Sequence, residues 1–271
     1  MIPAGKIAMP HPLLKILMVV TSHATLGASG HQTGVWFEEL TTPYYVFRDA
    51  GAQVDIASIE GGKIPVDPRS VQHSDKDPES VQRFLKDRPA MDDLEHSRKI
   101  TSVSVDGYDA VFIPGGHGVM WDMPNSTSLQ SLILRAWSDG KVVASVCHGP
   151  ASLAGIRNPD GTAFVKGKKI SAFTDSEEEA AGLTKTVPFL LETRLRDEGA
   201  IYEKGENFKP FMVRHGRPAT GQNPQSSALA AQEVQSVPAE GKAATCLTIR
   251  SPLIIPPGAA SSEHRPCTSS C

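Results

Sequence analysis

Residues 142–150, VVASVCHGP, form an apolar run that stops at Cys147 and turns through Gly149 toward a predicted helix over residues 151–154. An uninterrupted run of β-formers ending in a small turn is the mark of a strand buried on both faces of a parallel sheet. Working outward, the same pattern recurs. Ala110-Val111-Phe112-Ile113 runs into Pro114-Gly115-Gly116, Val54-Asp55-Ile56-Ala57-Ser58 follows Gly51, and residues 14–20, LKILMVV, end in polar Thr21-Ser22-His23. Between these strands lie helical spacings: Val35, Leu40, Tyr44 and Phe47 before Gly51, and Leu129, Leu132, Ile133, Ala136 and Trp137 before Gly140. Strands alternating with helices give right-handed crossovers. The expected fold is therefore α/β, a flavodoxin-like (Rossmann-like) α/β/α sandwich with a mostly parallel sheet. Ligands of such sheets sit beyond the carboxyl ends of the strands, where residues 21–23, 115–118 and 147–149 fall.

Residues 14–236 read as one domain behind a short extension, residues 1–13. A polar stretch at about residues 61–100, carrying Pro65, Pro68, Pro78 and Pro89, breaks the rhythm as an insertion with one short helix expected near residues 81–86. Residues 187–199 are expected to hold a helix with proline near its start and glycine past its end. Residues 237–271 lack aromatics and mix proline with serine, so a disordered tail is expected there.

A chain of 271 residues can bury a sizeable core, and its net charge of -3 offers no basic surplus for nucleic acid or an anionic membrane. The apolar run at residues 13–20 is too short to span a bilayer and is a poor signal peptide, so a cytoplasmic protein is expected. Of four cysteines, Cys246, Cys267 and Cys271 lie at the end, and Cys147 stands alone. A disulfide framework would spread its cysteines, and only His264 lies near the last ones, so structural zinc is not expected.

A cysteine ending a buried strand can be a plain core residue. His148 directly after it is difficult to explain by packing and simple to explain as a base. A thiol at such a strand-to-helix turn faces the positive end of the following helix, which would lower its pKa, and the same backbone N–H groups suit an oxyanion. Pro114-Gly115-Gly116-His117-Gly118 lets the backbone approach a ligand closely. It is neither a phosphate loop, since no Lys-Ser/Thr follows, nor a dinucleotide fingerprint. Glu38 and Glu39 at the start of the first helix, and Glu177-Glu178-Glu179 after Thr174 and Asp175, supply carboxylates. Periodicity alone does not choose among them.

Taken together, these residues resemble the ThiJ/PfpI family of the class I glutamine amidotransferase-like superfamily, and most of all its branch of glutathione-independent glyoxalases (glyoxalase III) and heat-inducible holding chaperones. The likeness spans about residues 15–227. Its blocks are Thr33-Gly34-Val35-Trp36-Phe37-Glu38-Glu39 with Pro43 and Phe47; Pro114-Gly115-Gly116-His117-Gly118 with Asp122 and Pro124; Val146-Cys147-His148-Gly149-Pro150; Ala172-Phe173-Thr174-Asp175 leading to Glu178; and Thr220-Gly221-Gln222-Asn223-Pro224. The resemblance implies Cys147 as nucleophile, His148 as its partner, Glu178 as the acid that orients His148, and Glu39 against the thiol as general acid/base. Gly116 and His148 N–H groups would form the oxyanion site, with Gly115 and His117 lining the pocket. It further implies conversion of methylglyoxal, a small 2-oxoaldehyde, to D-lactate by a cofactor-independent lyase of D-lactate dehydratase type, in a homodimer.

Three other functions compete: a holding chaperone for unfolded chains, a redox sensor built on a low-pKa Cys147 held by Glu39, and a cysteine peptidase or amidase. Glutamine hydrolysis fits poorly, because the elbow lacks G-x-C-x-G and no H-x-E occurs; His215 is followed by Gly216-Arg217.

Overall fold

The computed structural model describes residues 13–236. The expected residues 1–12 of the extension and the tail from residue 237, with Cys246, Cys267 and Cys271, lie outside the described residues.

Nine strands and eight helices follow one another along the described chain. The first half holds β1 (Lys15–Val20), α1 (Phe37–Asp49), β2 (Gln53–Ser58), α2 (Glu79–Phe84), α3 (Arg88–Glu95), β3 (Arg98–Lys99), β4 (Ala110–Ile113), α4 (Val119–Asp122) and α5 (Thr127–Ser138). There follow β5 (Val142–Val146), β6 (Lys169–Ile170), α6 (Asp175–Ala180), α7 (Leu191–Asp197), β7 (Ile201–Tyr202), β8 (Met212–Arg214), β9 (Pro218–Gly221) and α8 (Ser227–Ser236). Seven strands form one sheet in the order β3-β2-β1-β4-β5-β9-β8, parallel except for β8 against β9. Strands β6 and β7 pair separately.

The four apolar runs of the sequence are thus the four central strands of the expected mostly parallel α/β sheet. Alternation along them divides the core between two faces. Val111, Ile113 and Val143 pack with α5 residues Leu129, Leu132, Ile133 and Ala136. Ala110, Phe112, Ala144 and Val146 face α1 residues Phe37, Leu40 and Phe47, together with Ala230 and Val234 of α8. The register pairs Ile113 with Ser145 and Val146 with Gly221, so β4, β5 and β9 end at one level. Cys147 and the loop at residues 114–118 emerge there.

Three local expectations need correction. The insertion is a packed element rather than a polar loop with one helix: its α2 starts at Glu79, and α3, a second helix, buries Ala90 and Leu94. Asp87 caps α3 by accepting the Ala90 N–H at 3.3 Å, with proline in the first turn, a start signal the composition hid. Helix α7 begins at Leu191 rather than 187, because the Val187 N–H still closes the preceding turn on the Leu183 carbonyl. After Cys147 the chain enters a 3-10 helix, Gly149–Leu153, not an α-helix at 151–154; Pro150 lacks an N–H and Ala154 is already extended.

Candidate functional site

Cys147 leaves β5 with φ at 60°, a left-handed conformation that costs a non-glycine residue about 1–2 kcal/mol. The turn is held from both sides. Its N–H donates to the Gly221 carbonyl at 2.9 Å, and its carbonyl accepts from Phe173 N–H at 2.9 Å. This bends the thiol off the strand line, where Sγ lies 3.3 Å from His148 Nδ1. His148 is 1% exposed and turns its other nitrogen, Nε2, to Glu178 Oε2 at 2.8 Å.

The structure chooses among the clustered carboxylates. In α6, Thr174 and Glu177 form a reciprocal capping box, and Glu177 also accepts from Asn223 and Gln222, so it is structural. Glu179 is exposed, and of the two buried carboxylates Glu178 alone meets the imidazoles of His117 and His148. In α1, Glu38 is partly exposed while Glu39 is fully buried. Glu39 Oε2 accepts the Gly115 N–H at 2.8 Å, its Oε1 has no hydrogen-bond partner, and its carboxyl stands against the Cys147 thiol. Gly115 therefore holds Glu39 and does not line the cavity. Gly116 does, with φ at 97°; a Cβ there would lie 2.3 Å from Trp36 N.

His117 is more than a lining residue. Its Nε2 meets Glu178 Oε1 at 2.9 Å, and its Nδ1 meets Arg69 Nη2 at 3.2 Å. Arg69 and its partner Asp67 come from the insertion and were missed in the sequence; the only cue was Asp67-Pro68, which opens a 3-10 turn at Pro68–Ser70. The cavity, about 200 Å³, is lined by Trp36, Arg69, Gly116, His117, Cys147 and Phe208 among others. His117, His148 and Glu178 place possible metal-ligand atoms within 4.8 Å of one another. The Nε2 of each imidazole is engaged by Glu178, and the two Nδ1 atoms face Arg69 and the Cys147 thiol, so the geometry is that of a proton relay.

Burial pushes the Glu39 carboxyl well above its ordinary value, and hydrogen bonds from its surroundings only partly oppose this. The Cys147 thiol is also pushed well up, first by burial and then by Glu39, while the His148 N–H works against the rise. The expected helix-terminus depression of this thiol is thus overturned: only a five-residue 3-10 turn follows it, and the sulfur is sealed against a carboxyl. The low-pKa premise of a redox sensor goes with it. For Glu178, burial is outweighed by the charge and hydrogen bonds of the two imidazoles, which hold its pKa well below the carboxylate range. His117 is lowered to about 4 by burial and by His148, so it is neutral at physiological pH.

Comparison with known proteins agrees with this architecture. The sequence matches the DJ-1/PfpI family over residues 32–186. Glyoxalase 3 of Candida albicans is 33% identical over 82% of this chain and 97% of its own. A glutathione-independent glyoxalase of Schizosaccharomyces pombe is 33% identical over 79% and 91%. Among solved structures, the 24-kDa rapid encystment protein of Francisella tularensis superposes with a TM-score of 0.79 at 36% identity, covering 82% of this chain and 98% of that one. Glyoxalase III of Candida albicans gives a TM-score of 0.75 at 32% identity, covering 82% and 96%. Among the described residues, no helix is long and apolar enough to cross a membrane.

Proposed function

The chain belongs to the DJ-1/PfpI family, and from that premise we propose that it is an enzyme, a glutathione-independent glyoxalase that converts methylglyoxal to D-lactate as a cofactor-independent lyase. The observation that carries the reading is the thiol of Cys147 set between two proton-moving groups, His148 Nδ1 at 3.3 Å on one side and the buried Glu39 carboxyl on the other. Peptide hydrolysis requires no such carboxyl against the nucleophile. Isomerising a 2-oxoaldehyde requires a proton to leave one carbon and arrive at the next, which two flanking acid/base groups supply.

Cys147 Sγ attacks the aldehyde carbon as its proton passes to His148, and the developing alkoxide is met by the Gly116 N–H and protonated, giving a hemithioacetal. His148, neutral again once the alkoxide has its proton, takes the proton from the first carbon and passes it to the ketone oxygen; Glu39 protonates the second carbon of the resulting enediol and regains the proton of the first-carbon hydroxyl, leaving a lactoyl thioester. Water hydrolyses that ester, releasing lactate and restoring the thiol. No electron is gained or lost overall, so the reading requires neither metal nor nicotinamide. Glu178, held as the anion by its two imidazoles, stabilises the positive charge His148 acquires. A cavity near 200 Å³ suits a three-carbon aldehyde.

The test is D-lactate formation from methylglyoxal without glutathione or added metal. The parent is expected to produce D-lactate, and Cys147→Ala to fall to background. A folded parent that forms no D-lactate overturns the reading.

A further inference from the structure

We propose that Arg69, anchored by Asp67, is a positioning residue that fixes His117 as the Nε2–H tautomer and so makes Glu178 the shared acceptor of two imidazole donors. The activity arm of the inference rests on the glyoxalase reading, but the tautomer itself does not.

Donors and acceptors decide the tautomer. Arginine has only N–H donors, so the 3.2 Å contact of its Nη2 with His117 Nδ1 requires that nitrogen to carry a lone pair. A neutral imidazole with an accepting Nδ1 bears its proton on Nε2, and the atom facing His117 Nε2, at 2.9 Å, is Glu178 Oε1. The second oxygen, Oε2, faces His148 Nε2 at 2.8 Å. With both oxygens engaged the carboxylate cannot rotate. A neutral His148 donating through Nε2 carries its lone pair on Nδ1, the nitrogen 3.3 Å from the thiol.

Arg69 itself is rigid. Its Nε and Nη2 fork onto Asp67 Oδ1 and Oδ2 at 2.9 and 2.6 Å. Asp67, whose side chain is fully buried, also accepts from Arg69 N–H at 2.9 Å and from Thr33 Oγ1 at 2.8 Å. The chain Thr33, Asp67, Arg69, His117, Glu178, His148, Cys147 is therefore continuous in hydrogen bonds, and it enters the site from the insertion. That gives the insertion a role in the chemistry beyond covering the cavity. Without Arg69, His117 could hold its proton on Nδ1, and its Nε2 lone pair would then face the Glu178 oxygen and push the carboxylate away from His148.

The experiment is NMR of the full-length protein carrying ¹⁵N-labelled histidine, at neutral pH, with His117→Gln assigning the signal. The parent should show His117 neutral with its proton on Nε2. Arg69→Met should convert that signal to a mixture of tautomers or to the cation, and Arg69→Lys, which keeps a donor but loses the fork on Asp67, should restore part of it. In parallel, kcat for D-lactate formation should fall on the order of tenfold to a hundredfold in Arg69→Met, with KM changed far less, as for other residues that orient a working side chain. A parent His117 that is cationic or protonated on Nδ1 overturns the inference, as does an Arg69→Met spectrum identical to the parent's. If Arg69→Met does not fold, the parent and Arg69→Lys spectra decide. A parent with the expected tautomer but no D-lactate removes the glyoxalase reading and leaves the positioning role standing.

Discussion

Replacing Glu39 by glutamine separates its chemistry from its packing. The carboxyl is fully buried, and burial holds it protonated well above the ordinary value of 4.5, so an amide of the same shape replaces one neutral group by another. The carbonyl of the introduced amide can still accept the Gly115 N–H that Glu39 Oε2 takes at 2.8 Å. Near pH 4.5 the stability change should therefore stay within about 1 kcal/mol, the net worth of a single hydrogen bond. Above that pH the two proteins diverge. The folded parent keeps a proton that its unfolded chain releases, so the parent loses about 1.4 kcal/mol per pH unit until the folded carboxyl itself ionises. Glu39→Gln has no such slope, and urea melts at pH 5, 6 and 7 should show it gaining on the parent at each step. D-lactate formation should nevertheless fall by about 10²–10⁴-fold, because the amide moves no proton. The reasoning is refuted if the variant loses ground to the parent as pH rises, which would mean an ionised and favoured carboxylate, or if its rate stays within about tenfold of the parent's.

Gly116→Ala puts a Cβ 2.3 Å from Trp36 N at a φ of 97°; it should cost at least about 2 kcal/mol in chemical denaturation and abolish D-lactate formation by moving the Gly116 N–H. Asp122, partly buried where it accepts from Thr21 Oγ1 and Ser22 N–H, has its pKa raised from 3.8 to about 6. Burial is the cause, so the folded state favours the acid. Relative to Asp122→Asn, the parent should lose about 3 kcal/mol as pH rises from about 4 to about 6, read from melting curves across that range. The raised Cys147 thiol predicts slow alkylation by iodoacetamide at pH 7, followed by mass spectrometry of its peptide, with acceleration only in the alkaline range; rapid labelling at pH 6 would contradict it.

The central strands were legible because each of β1, β2, β4 and β5 is an apolar run that needs no partner to identify it. The edge was not: Pro218-Ala219-Thr220-Gly221 of β9 has no β-forming periodicity and is a strand because β5 pairs with it. In the candidate site, Cys147 and His148 announce themselves by adjacency. Glu178 was separable in principle, since Thr174 and Glu177 stand at capping-box spacing and a capping carboxylate is already committed, but nothing local distinguished Glu178 from Glu179. Glu39 differs from Glu38 only by the helix face it occupies. Arg69 had no local signal beyond the turn start at Asp67-Pro68: its contact with His117 joins positions 48 residues apart, and only the folded insertion brings them together.

The same separation explains why the electrostatics of Cys147 ran opposite to its sequence context. A strand-to-helix turn suggests a resting thiolate, yet the helix is a single 3-10 turn and a buried carboxyl stands against the sulfur. Burial raises both acids and Glu39 raises the thiol further, while the thiol only partly lowers Glu39, so the favoured resting state keeps both protons. A neutral thiol requires that deprotonation accompany attack, and Nδ1 of His148 is the acceptor within reach. The imidazolium so formed is compensated by a carboxylate already held ionised beside it. The protonated Glu39 is then free to give a proton to the second substrate carbon and regain one from the first-carbon hydroxyl. The site thus assigns charge to Glu178 and protons to Glu39, and it does so by surroundings alone: two imidazoles around one carboxylate, and around the other a burial that a thiol and a backbone N–H offset only in part.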